Sequence, residues 1–152
     1  MTRSPPRWQA PMTDPYLTME DEVRETVPFL QQELNLEIVD ARFEPASFGN
    51  SYVTLASPEF VVRFVRDRGS FLVDIASTQD PKTWWTLREV GELIMRREIA
   101  YLADLMAAGN FIREHVLALK ETLGPGYPAS KVELVKRAAA RASEFRNRFN
   151  GG

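Results

Sequence analysis

Residues 60–76 read FVVRFVRDRGSFLVDIA. Two runs with apolar side chains at every second position flank an Arg68-Gly69 pair. Period two marks a strand, whose successive side chains leave opposite faces. A two-residue loop at Arg68-Gly69 sets Asp67 opposite Ser70. Phe64 then meets Val73 and Val62 meets Ile75 on one face. On the other face Val65 meets Leu72, Val61 meets Ala76 and Arg63 meets Asp74. A three-residue loop with a bulge would instead bring Val62 against Asp74, an apolar group against a charge. A slip of one residue turns every side chain over, so the two-residue loop is the expected one.

Upstream, the same period continues. Leu36–Glu44 reads as a strand with Val39, Ala41 and Phe43 on one face and Asp40, Arg42 and Glu44 on the other. Ser51–Ala56 reads as a second. Pro45 and Gly49 separate these two, and Ser57-Pro58 leads into the strand at Phe60, all turn-forming residues. Four sequential strands joined by short turns predict an antiparallel meander with helices on one face.

Helical spacing lies on either side. Thr18 and Asp21 have capping-box spacing. Met19, Val23, Val27, Leu30 and Leu34 follow at steps of three and four, one stripe of a helix. Pro28 falls inside this stripe and predicts a kink or break, because its ring clashes with the preceding turn. After the turn Gln79-Asp80-Pro81 comes Trp84-Trp85, then Thr86 and Glu89 as a second capping box. Leu87, Val90, Ile94, Tyr101 and Leu105 predict one helix ending near Gly109-Asn110. A further helix is expected from Phe111 to about Leu123, with Gly124 as its cap. After a loop over GPGYP, Ser130 and Glu133 predict the start of a last helix reaching about Phe145.

The expected fold is therefore α+β: a four-stranded antiparallel β-meander preceded by one helix and followed by three helices packed on one face. It occupies residues 18–149 as a single domain. Residues 1–17 hold Pro5, Pro6, Pro11 and Pro15 and read as a flexible Pro-rich N-terminal arm, since proline lacks the amide that helix and inner strand need. That arm, with Trp8, is a candidate cover for the outer sheet face.

Composition narrows the chemistry. The chain has 152 residues, 44% apolar and 26% charged, the profile of an ordinary globular domain. It has no cysteine, which excludes disulfides, thiolate catalysis, iron–sulfur clusters and cysteine zinc sites. Its one histidine, His115, falls within a helical stretch and is too little for a zinc site; a Ser-His-Asp arrangement would have to use it, and no serine sits in a G-x-S-x-G elbow. Gly124-Pro125-Gly126 lacks the Lys-Ser/Thr ending of a phosphate-binding loop. No catalytic residue, metal ligand set or cofactor is expected. No apolar run approaches the roughly 18 residues of a membrane span, and no apolar stretch follows Arg3 and Arg7 as in a secretory leader. A cytoplasmic address without membrane contact is the expectation.

The net charge of −2 conceals an asymmetry. Residues 1–80 carry 7 Lys/Arg against 13 Asp/Glu, and residues 81–152 carry 12 against 8. Patches of one sign steer association.

Three features remain as binding candidates. Arg63 and Asp74 sit on the outer sheet face among Val61, Val65 and Leu72, where an apolar face calls for a cover or a partner. Trp84 and Trp85 cannot both point into the core, and an exposed tryptophan is an interface anchor. Lys136, Arg137 and Arg141 on the basic last helix suit a phosphate backbone. The first two favour a non-catalytic protein-binding module contacted through Arg63, Val65, Leu72, Asp74, Trp84 and Trp85. The partner would be another protein, with a homo-oligomer as one form of it. The third supports the alternative of a nucleic-acid-associated regulator. An enzyme using paired carboxylates is the remaining alternative, for which the spacing of 21 acids gives no direction.

The segments FVVRFVRDRGSFLVDIAS, DPKTWW and LREVGELI, within the stretch from Glu59 to Leu93, resemble small uncharacterised bacterial proteins of polymorphic-toxin immunity type. The resemblance implies a protein-binding role and carries no functional residue with it.

Overall fold

A computed structural model describes residues 18–46 and 50–150; the arm expected over 1–17 lies outside them. Helix α1 (Met19–Thr26) opens with the anticipated capping box, in which Thr18 Oγ1 accepts from Asp21 N at 3.1 Å. Pro28 breaks the stripe outright. The chain turns at Val27 and resumes as one turn, α2 (Phe29–Gln32), preceded by Pro28. Met19, Val23, Val27 and Leu30 remain fully buried across the break.

Among the described residues a five-stranded antiparallel sheet follows, ordered β1 (Glu37–Glu44), β2 (Asn50–Ala56), β3 (Phe60–Asp67), β4 (Ser70–Ser77) and β5 (Trp85–Thr86). The β3–β4 register is the expected one at every position, from Phe60 opposite Ser77 to Asp67 opposite Ser70. Arg68 (φ 52°) and Gly69 (φ 83°) supply the two left-handed residues that let a two-residue turn match strand twist.

Two strand expectations need correction. Val39 does not share a face with Ala41 and Phe43. Ile38 pairs with Leu55 and Asp40 with Thr54, so Val39 is the extra residue of a β-bulge and is 56% exposed. Ile38 takes its place against the core. The second correction is the strand count, five rather than four. Trp85 and Thr86 pair with Ile75 and Asp74 before the helix begins, a ladder too short to show a period.

The helices after the sheet also differ from expectation. Helix α3 (Leu87–Met95) keeps its Thr86–Glu89 capping box but stops at Arg96, which is left-handed at φ 56°. Residues 96–104 are not helical. Asp104 then caps α4 (Leu105–Leu123), its Oδ1 accepting from Ala107 N at 2.8 Å. Gly109 lies inside α4 rather than at a helix end. A Cβ there would lie 2.6 Å from Val27 Cγ1, so glycine lets α4 pass close to the first helical segment. The final helix, α5 (Tyr127–Asn150), starts before Ser130, whose amide already donates to Gly126 O at 3.0 Å.

One core joins these parts. Val53, Leu55, Val62, Phe64, Phe71, Val73 and Ile75 line the inner face of the sheet, against Met19, Val23, Leu87, Val90, Ile112 and Leu119 from the helices. Helix α5 packs on α3 and α4, and its last buried residue is Leu134.

Candidate functional site

The outer face of the sheet carries the side chains that alternate with this core. Tyr52 and Thr54 come from β2, Val61, Arg63 and Val65 from β3, and Leu72, Asp74 and Ala76 from β4. None belongs to the core cluster or packs against it as a partly buried apolar group. The helical side chains of that cluster therefore serve the inner face.

Arg63 is the most connected side chain described on this face. Its guanidinium carbon lies 4.5 Å from the Trp84 ring centroid and 5.0 Å from that of Tyr52. Its Nε donates to Thr54 Oγ1 at 3.2 Å. A guanidinium over an aromatic face is attracted by the ring quadrupole, by about 0.5–1 kcal/mol at an exposed site and more where water is excluded. Tyr52 is fixed in turn, its hydroxyl donating to Asp40 Oδ2 at 3.0 Å. Thr54 and Ala76, though on the outer face, are buried.

The expected Arg63–Asp74 ion pair does not form. The two residues are register partners, yet no ion pair joins them among the described residues. Asp74 is half-buried. That burial raises its carboxyl above the ordinary value, against the pull of Arg63 and with the help of Glu89. Leu72, beside it, is 44% exposed, and Val61 and Val65 are half-buried.

The tryptophans divide as their adjacency requires. Trp85 enters the core at 8% exposure, and Trp84 stays half-buried on the outer face against Arg63. Trp85 Nε1 donates to Tyr127 Oη at 3.4 Å, and Tyr127 Oη donates to Asp80 Oδ2 at 2.8 Å. Lys131 Nζ lies 2.8 Å from the same carboxylate oxygen. Bonds from Lys131 and then Tyr127 hold Asp80 below the ordinary carboxylate value, and Asp80 raises Lys131. This chain ties the turn after β4 to the first turns of α5. Sequence reading missed it, because residues 80, 85, 127 and 131 share no spacing.

The basic helix is largely committed to the fold. Arg141 Nη2 lies 2.6 Å from Glu92 Oε1, a buried carboxylate, and Nη1 lies 3.5 Å from Glu89 Oε1. Arg137 meets Glu133 at 3.4 Å, while Lys136 is exposed. A groove of about 310 Å³ between α3, α4 and α5 is walled by Leu93, Ile94 and Ala118 and bridged by Arg96 and Glu133, 2.8 Å apart. His115 sits at a non-helical residue inside α4 and packs on Phe111, 4.5 Å between ring centroids.

Among the described residues, no group of three or more His, Asp or Glu is placed to hold a metal ion, and no helix is long and apolar enough to cross a membrane. No family model, no curated protein and no solved structure matches this chain. The outer sheet face therefore has to be read from its own chemistry. It offers two aromatic rings, a clamped cation, an unpaired half-buried acid and an exposed leucine on one rigid surface.

Proposed function

We propose that this protein is a non-catalytic protein-binding module, of immunity or adaptor type, that docks through the outer face of its sheet. The observation that carries this reading is the state of Arg63 and Asp74. Two opposite charges in facing register, both half-buried, remain unpaired beside an exposed leucine. A partner that supplied matching charges and covered Leu72, Val61 and Val65 would satisfy all of them together. Trp84 belongs to the same surface, as a rigid aromatic beside the charges, and tryptophan and arginine are enriched among the residues that dominate binding energy. Trp85 is excluded from the contact by its place in the core.

Pull-down from native lysate with wild-type protein and Leu72→Glu tests the reading. Wild type should retain a partner that Leu72→Glu loses, with the two proteins melting at the same temperature. If nothing is retained, or if the substitution changes only stability, the proposal fails.

A further inference from the structure

Half-buried charges elsewhere in the described structure are all answered for among the arginines and aspartates. Arg66 meets Glu22 at 2.7 Å, Arg137 meets Glu133 and Asp80 meets Lys131. Arg63 and Asp74 are the exceptions among the described residues. Among the described residues the Nη groups of Arg63 have no hydrogen-bond acceptor; the rings lie near its guanidinium and Thr54 takes its Nε. Among the described residues Asp74 has neither a side-chain hydrogen bond nor an ion pair, and Arg63 and Glu89 act on it only through their charge. These two groups are opposite in sign, adjacent, and related by the line that runs between β3 and β4.

A two-fold axis lying along that line, in front of the face, sets a second sheet against the first. It carries β3 of one copy over β4 of the other. Arg63 then faces Asp74 of the second copy, and Asp74 faces its Arg63. The same operation sets Val65 over Leu72 and Leu72 over Val65. A symmetric interface needs a patch complementary to itself, with residue i meeting j and j meeting i. We propose that the outer sheet face binds a second copy of this chain, in a two-fold, sheet-on-sheet dimer held by two reciprocal Arg63–Asp74 pairs. The proposal rests on the reading of this face as a docking surface, and it names the occupant.

Size argues for a weak dimer. The overlap consists of β3 and β4, spaced about 4.8 Å apart and about 26 Å long, with the two-residue β5 over part of β2, roughly 300 Å² in projection. Stable complexes bury about 800 Å² per partner, so a reversible association is expected.

Sedimentation equilibrium from low micromolar to near-millimolar protein reads the association. Wild type should rise toward twice the protomer mass. Arg63→Asp and Asp74→Arg should each weaken pairing by about tenfold or more, since like charges then face each other. An equimolar mixture of the two variants should restore it, as should both substitutions in one chain. Leu72→Arg, at an exposed position, should abolish pairing without touching the Arg63 stack. Circular dichroism and melting confirm that each variant is folded. A wild type that stays monomeric throughout, or single variants that pair like wild type, overturns the proposal. Capture of a different protein by a monomeric wild type would overturn it while leaving the docking face intact.

Discussion

Arg63 and Asp74 stand directly opposite each other on β3 and β4, yet the guanidinium is held by Trp84 at 4.5 Å and by Tyr52, not by the carboxylate. Strand register brings the two backbones together. The rings and Thr54 then decide where the long side chain lies. A charge pair legible in the pattern is thereby converted into a cation–π stack and a lone acid.

That geometry ranks two couplings. Double-mutant cycles at concentrations where the chain is monomeric should give about 0.5–1 kcal/mol between Arg63 and Trp84. Arg63 and Asp74 should couple by less than about 0.5 kcal/mol. Urea denaturation of Arg63→Gln, Trp84→Ala, Asp74→Asn and the two doubles measures both, and the reverse order would contradict the stack.

Asp74 should make stability pH-dependent in a definite sense. Its folded carboxyl is raised by burial, so ionisation costs the folded state more than the unfolded one. The penalty is fully present above the raised folded value and disappears below the ordinary carboxylate value. Asp74→Asn should therefore raise the melting temperature at neutral pH, with a gain that vanishes on acidification. A gain that persists unchanged at low pH would exclude this cause.

Asp80 should act in the opposite sense. Its folded carboxyl is lowered by Lys131 and Tyr127, so its contribution is present above the ordinary value and lost as pH falls through the lowered one. Asp80→Asn should flatten the acid limb of the stability curve. Tyr127→Phe removes the hydroxyl between Trp85 and Asp80 and should cost about 1 kcal/mol, measured by chemical denaturation at pH 7.

Gly109→Ala should destabilise the protein although alanine favours helices by about 1 kcal/mol. The new methyl meets Val27 Cγ1, on a branched side chain with few alternative rotamers. Overpacking of this kind costs about 1–3 kcal/mol. Val27→Ala in the Gly109→Ala background should relieve part of it, so that the double variant loses less than the sum of the singles.

The nucleic-acid reading of α5 makes a separate prediction. With Arg137 held by Glu133, and Arg141 by Glu89 and Glu92, few of the predicted cations are free for phosphates. Filter binding of a short duplex should show weak affinity and a shallow salt slope. A steep slope that falls on Arg141→Gln would favour that reading instead.

Much of this architecture was decided locally, and local decisions are visible in sequence. Alternation over 60–76 with Arg68-Gly69 between the runs specified the β3–β4 register, because any other pairing sets apolar groups against charges. Thr18 and Thr86, each three residues before an acid, specified two helix starts. Pro28 specified a break, since a ring without an amide cannot continue a helix. Adjacent tryptophans had to part, and Trp85 took the core.

Only the tertiary structure decided the rest, because it depended on what lay across the gap. Gly109 reads as a helix end in sequence and as a close-packing point once Val27 stands 2.6 Å from its missing Cβ. Val39 follows the alternation until β2 imposes a bulge, and β5 exists only because β4 offers an edge. The outer-face charges could be placed on one surface from the pattern, but not paired. Whether Arg63 reaches a carboxylate or two aromatic rings is set by the packing of β2 and the chain before β5, which no spacing records.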